Sequence, residues 1–216
     1  MTKEDQLIKA AQNGNLQQVK QLVQNGANIH EQNDKALRFA ATKGHLKVVK
    51  YLIENDADIN AKNNEALICS ADDSHFEVVK LLVEKGANVH AQDDLALRLA
   101  ALKGHLQIVK YLAEKYANIH ADKDWALRFA AQFNHLRVVK YLVQKGANVH
   151  AKNDDALRSA ARNGHLEIVK HLVQKGANIH ARDHQALRSA RQNKHYKVAK
   201  LLEDCQAIKQ YKRIYY

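Results

Sequence analysis

"DDALRSAARNGHLEIVKHLVQKGANIHA", residues 154–181, decides the fold because the chain keeps repeating it. The pair Ala-Leu stands at 36–37, 66–67, 96–97, 126–127, 156–157 and 186–187, always 30 residues apart. A histidine recurs at His45, His75, His105, His135, His165 and His195, and a lysine at Lys20, Lys50, Lys80, Lys110, Lys140, Lys170 and Lys200. Self-similarity at such a period is the signature of stacked supersecondary units. A degenerate first copy has Leu7 and Asn15 in the matching places. With it, seven units run 4–33, 34–63, 64–93, 94–123, 124–153, 154–183 and 184–205, followed by 206–216.

Each unit reads as two short helices and a connector. In 34–63, Asp34 is expected to cap the first helix by accepting an unpaired first-turn amide. Ala36, Leu37, Ala40 and Ala41 form an apolar stripe of small residues that permits close helix approach. Gly44 is expected just past the helix end. A second helix is predicted over 46–54, with Leu46, Val49, Leu52 and Ile53 facing inward. One unit cannot bury both stripes, so stacking is obligatory.

The stretch "GHLEIVKHLVQKGANIHA" at 164–181 resembles the second half of an ankyrin repeat almost residue for residue, and the likeness covers about 4–205. The resemblance implies an all-α ankyrin-repeat solenoid that binds a partner protein and has no catalytic role. The family's unit is 33 residues long and carries T-P-L-H-x-A. This one is 30 and reads Ala-Leu-Arg-x-Ala, without proline anywhere in the chain. The missing residues come from the connector, so the family's hairpin fingers are expected to shrink to tight loops. Thirty-residue units of this style are similar to those of amoeba-infecting giant viruses. That likeness implies a host protein as partner, met in the host cytoplasm; the two unrelated cysteines point separately to a reduced, intracellular compartment, and a monomer is expected.

Composition sets wider bounds. A 46% hydrophobic content is that of a folded chain. "MTKEDQLIKAAQ" carries charges where a signal peptide needs its apolar core, and no apolar run reaches membrane-spanning length. Cys69 and Cys205 sit in unrelated contexts, so a disulfide framework is not expected. The net charge of +11 admits an acidic protein or a nucleic acid as partner.

A repeat turns every recurring residue into a ladder. The turn histidines, and His30, His90, His120, His150 and His180 in the connectors, could suggest a metal. Zinc needs about 2.0–2.1 Å to each nitrogen, whereas packed helices lie about 8–10 Å apart. The ladder histidines are therefore expected to bond neighbouring loop backbone, with no metal or cofactor bound. His180 and His184 have i, i+4 spacing but fall in a connector without an accompanying glutamate motif. The lysine ladder is a solvated outer face, helped by pairs such as Glu77–Lys80 and Glu167–Lys170. No phosphate-binding glycine loop or nucleophile elbow occurs.

The positions that vary between copies are candidates for specificity. Positions 35, 38, 39, 42 and 43 of the second unit form one helical stripe, which by resemblance lines the family's concave binding surface. Read from copy to copy, the stripe offers Glu65, Asp72 and Asp73 with Ile68 in place of the usual arginine. It then offers Leu95, Leu99 and Leu102, then Trp125, Phe129 and Phe133, and finally Arg158, Arg162, Arg188 and Arg191. Arg38, Arg98, Arg128, Arg158 and Arg188 either bridge to Asp or Asn of adjacent connectors or touch a ligand directly. Trp125 either anchors a partner or folds back over the shortened connector. Phe129 is expected at the core margin, since Phe39 and Leu99 share its position. The expected partner site is Trp125, Leu95, Leu102 and Phe133, with Arg158, Arg162 and Arg188 on acidic groups and Glu65, Asp72 and Asp73 at the acidic end. The alternative is a polyanion or nucleic acid on the arginine ladder.

Terminal repeats need polar outer faces, and Gln12, Gln17, Gln18, Gln21 and Gln24 supply one. At the other end Ile208, Tyr211 and Tyr215 have i, i+3, i+7 spacing, which suggests a docking helix; a basic, tyrosine-rich binding tail is the alternative.

Overall fold

A computed structural model describes residues 1–215, with side chains through residue 207. The expected cap by Ile208, Tyr211 and Tyr215 therefore lies outside the described side chains. Among the described residues there are fourteen helices and no strand. The first helices of successive repeats are α1 (Lys3–Gln12), α3 (Glu31–Thr42), α5 (Ala61–Asp72), α7 (Ala91–Lys103), α9 (Ala121–Gln132), α11 (Ala151–Arg162) and α13 (Ala181–Gln192). The second helices are α2 (Leu16–Gln24), α4 (Leu46–Glu54), α6 (Phe76–Glu84), α8 (Leu106–Glu114), α10 (Leu136–Gln144), α12 (Leu166–Gln174) and α14 (Tyr196–Tyr215). The chain divides into two compact units. Unit 1 is Met1–Ala100 with Gln107–Asn118; unit 2 is Ala101–Leu106 with the chain from Ile119 onward.

The core is the recurrent apolar set. Leu37, Leu67, Leu97, Leu127 and Leu157 are fully buried, as are Leu52, Leu82, Leu112, Leu142 and Leu172. The second-helix stripe differs at one point from the sequence reading. Leu46 is 38% exposed while Val48 is buried. Leu46 opens its helix directly after the turn.

The connectors hold the main surprise. Instead of hairpins, each carries three successive residues at positive φ. These are Gln32–Asn33–Asp34, Lys62–Asn63–Asn64, Gln92–Asp93–Asp94, Asp122–Lys123–Asp124, Lys152–Asn153–Asp154 and Arg182–Asp183–His184. This is a single left-handed turn, which costs L-residues about 1–2 kcal/mol each and least for Asn and Asp. Side chains offset that cost. Arg38 donates from Nε to the Asn33 carbonyl and from Nη2 to the Gln32 carbonyl, both at 2.9 Å. Arg128 and Arg158 repeat the pair on Lys123 and Asp122, and on Asn153 and Lys152. Hydrogen bonds to a charged group are worth about 1.5–3 kcal/mol each, so two of them match the strain of the turn.

Asp34 does not cap its own helix as expected. It sits at φ +53 inside the left-handed turn, and its Oδ1 accepts the Asp58 amide of the next connector at 2.8 Å. Asn64, Asp94, Asp124 and Asp154 do the same for Asn88, Asn118, Asn148 and Asn178. His30 Nδ1 lies 3.0 Å from the same Asp34 carboxylate, and His90, His120 and His150 copy the arrangement.

Candidate interaction surface

The turn histidines fix the first-helix ends side by side. His135 Nε2 donates to the Leu102 carbonyl at 2.8 Å, and His165 to that of Gln132 at 2.9 Å. His45 and His75 do the same to Gln12 and Thr42 in unit 1. His45, His75, His135 and His195 also pack over the glycine of the preceding turn. A Cβ on Gly104 would overlap the His135 imidazole, and one on Gly164 that of His195. Among the described residues no group of three or more His, Cys, Asp or Glu could hold a metal. His184, standing where other copies place the acceptor Asp, meets His180 edge-on at 4.7 Å and lies 2.6 Å from Gln206 Nε2.

The arginine ladder reaches one step further. Arg38 Nη1 pairs with Glu65 at 2.6 Å, Arg128 with Asp155 at 3.3 Å, and Arg158 with Gln185 at 2.8 Å. The acceptor always lies 27 residues on, at the position that Trp125 occupies in its own copy. Ile8 and Ile68 hold the arginine position in two copies, and the residues 27 further on are Lys35 and Leu95, not acceptors. Arg98 is the exception, with Trp125 standing 27 residues on, so an acceptor follows the arginine at Arg38, Arg128 and Arg158 but not in every copy.

This pairing redistributes the expected site. Arg158 is only 6% exposed, and Asp155 adds a fourth partner at 2.8 Å. Burial draws its pKa down, opposed by the Asp155 carboxylate. Its donors are spent on the stack, so it is withdrawn from the partner surface. Glu65 is likewise committed to Arg38. Arg188 lies exposed beside Asp183, and Arg162 is exposed. Asp72 and Asp73 end the α5 helix in unit 1, the first half-buried and the second exposed. Leu95 is half-buried, also in unit 1.

In unit 2 the aromatics form one row along α9. Trp125 stacks on Phe129 with centroids 3.8 Å apart, and Phe129 on Phe133 at 6.5 Å. Trp125 and Phe129 are half-buried, whereas Phe133 is 49% exposed. Phe129, half-buried, is also the middle of the row, which the i, i+4 spacing of the three rings could have shown. Phe133 stands between two shallow depressions. One is shared with Leu102, Lys103 and His135, the other with Gln132, Asn163 and His165.

Charge separates the two units. Unit 2 holds 20 of the 34 lysines and arginines and 8 of the 23 acidic residues, a net +12 against −1 for unit 1.

These repeats, their left-handed connectors and their histidine-fastened turns define a stacked helical repeat protein. The chain matches the family model described as "Ankyrin repeats (3 copies)" over residues 7–93, 93–153 and 127–212, and it belongs to the ankyrin-repeat family. Its fold is similar to that of the human ASB11 ankyrin repeat domain, whose crystal structure superposes with a TM-score of 0.78 at 28% identity. The match covers 85% of this chain and 90% of that one. No curated protein sequence matches it. Ankyrin repeats mediate protein–protein interaction and are not typically enzymes. Among the described residues no helix is long and apolar enough to cross a membrane.

Proposed function

We propose that this protein is a non-enzymatic scaffold that grips a partner protein through the varying stripe of its first helices, the stripe that lines the concave face in the family. The aromatic row Trp125–Phe129–Phe133 carries the reading. Three rings stacked along one helix cover a large apolar area at low entropy cost, and partly exposed aromatics of this kind dominate binding energies. Leu102 extends the row, and Arg162 stands one repeat on, where it can meet an acidic group. Leu95, Asp72 and Asp73 belong to the same stripe in unit 1. The similarity of the 30-residue unit to those of giant viruses makes a host protein in the cytoplasm the natural class of partner.

A benzophenone photo-crosslinker placed at Phe133, with capture from cell lysate, tests the proposal. Trp125→Ala is expected to weaken retention of the captured protein by about 30-fold, the equivalent of about 2 kcal/mol, at unchanged helicity by circular dichroism. Equal retention by wild type and variant would overturn it.

A further inference from the structure

One edge of unit 2 carries six of its 20 lysines and arginines and is nearly free of acidic residues. The turns between first and second helices lie side by side there, joined by the His135–Leu102 and His165–Gln132 bonds and by the packing of His195 over Gly164. Along these turns Lys103, Arg137, Arg162, Arg191, Lys194 and Lys197 are all exposed, and Glu167 is the one acidic residue in the same stretches. Arg191 shares its charge with Glu203. Two aromatics project among the cations, Phe133 and, at 70% exposure, Tyr196. Of the matching turns in unit 1, 41–48 carries Lys43 and Lys47, 11–18 carries no charge, and 71–78 carries Asp72, Asp73 and Glu77 with no lysine or arginine, so the basic edge is not a requirement of the fold.

We propose that this turn edge of unit 2 docks an extended acidic segment of a partner protein, with an apolar side chain of that segment seated beside Phe133. The proposal rests on the reading of unit 2 as a partner surface and adds the chemistry of what binds. Cations of one sign on successive turns form a track complementary to a run of carboxylates. The depressions on either side of Phe133, floored by Leu102 and by the turn backbone, suit an aliphatic side chain. A single-stranded nucleic acid would need a succession of open ring faces for its bases. Here Trp125 and Phe129 turn theirs on one another, which favours the acidic peptide.

The test is fluorescence anisotropy on the full chain with three labelled probes: a glutamate-rich peptide with a central leucine pair, the same peptide with the leucines replaced by glycine, and an oligothymidylate of equal charge. The leucine-bearing peptide is expected to bind tightest, by about tenfold over each of the others. Charge reversal at Arg162 and Lys194 (R162E/K194E) should weaken it by at least tenfold, and Phe133→Ser by about tenfold with no effect on the glycine peptide. Both variants alter exposed side chains, and circular dichroism checks that they fold. Failure of the peptide to bind, tighter binding of oligothymidylate, or indifference to Phe133→Ser overturns the proposal. A lysate partner crosslinked at Phe133 through a neutral or basic segment would overturn it too, while leaving the scaffold reading intact.

Discussion

At Gly104 the backbone stands at φ +81 and the His135 imidazole fills the space a side chain would need. Gly104→Ala is expected to lose about 1–3 kcal/mol in urea unfolding, from left-handed strain plus the displaced ring. Gly146→Ala, at φ +98 with open space around it, should lose less, about 1 kcal/mol. Arg158 makes a different demand, because its fork reaches two carbonyls and two side chains at once. Arg158→Lys keeps the charge but cannot keep that geometry, and a cost of about 1–3 kcal/mol is expected in the same assay. His171 occupies a position held by Tyr51, Tyr111 and Tyr141 in three other copies and by Gln21, Leu81 and Leu201 in the rest. Its Nε2 is buried without a partner. Burial first, then Lys140 and Lys175, hold its pKa below the ordinary 6.5. The unfolded chain therefore protonates first as pH falls. Stability should decline below about pH 6.5 and level off once the folded ring is protonated too. His171→Tyr is expected to flatten that decline, read as thermal midpoints across pH 5–8. Much at this scale was legible beforehand. The 30-residue register exposed the histidines as fasteners, because a residue that recurs with the fold belongs to the fold. The same logic reached only half of the arginine ladder. Its dependence on Glu65, Asp155 and Gln185 shows only as acceptors standing 27 residues after Arg38, Arg128 and Arg158, a spacing that becomes readable only once such a partner is suspected.

Among the elements, helices were easier to foresee than connectors. The predicted second helix over 46–54 coincides with α4 because apolar periodicity and packing specify the same residues. The left-handed turn leaves a faint trace, an enrichment in Asn and Asp that is equally at home in any loop. Its sign of φ decides which substitutions it tolerates. Asn153 sits at φ 57 and ψ 57, so Asn153→Val should cost about 1–2 kcal/mol through the crowded β-branch, whereas Asn153→Gly should be within about 0.5 kcal/mol of wild type. Chemical denaturation of the pair separates backbone strain from any loss of side-chain bonds. Asp34 misled for a related reason. A carboxylate before an apolar run reads as a cap, and only the left-handed backbone turns it toward the next repeat's amide.

Across the whole molecule the charge is the unexpected quantity. A net +11 suggests a uniformly basic protein, yet unit 1 is close to neutral and unit 2 carries +12. Like charges in so small a volume repel, and salt screens exposed ones far more than the buried arginine pairs. Raising sodium chloride from about 0.05 to 0.5 M should therefore raise the thermal midpoint by a few degrees, checked by circular dichroism. A fall would show that the ion pairs matter more than the repulsion.

The side-chain bonds within each unit span fixed sequence intervals: 24 residues for the connector acceptor, 27 for the arginine and 33 for the histidine. All three depend on the register of adjoining copies, so the chain can be edited only in whole copies. Excising 34–63 would bring Asn64 into the place of Asp34 with its bond to Asn88 intact, and His75 into reach of the Gln12 carbonyl. Excising one residue more or fewer would misalign the fastenings that cross the junction, while those between the remaining copies keep their spacing. Length in such a protein is a digital variable, open to change by duplication or loss of a copy and closed to gradual drift.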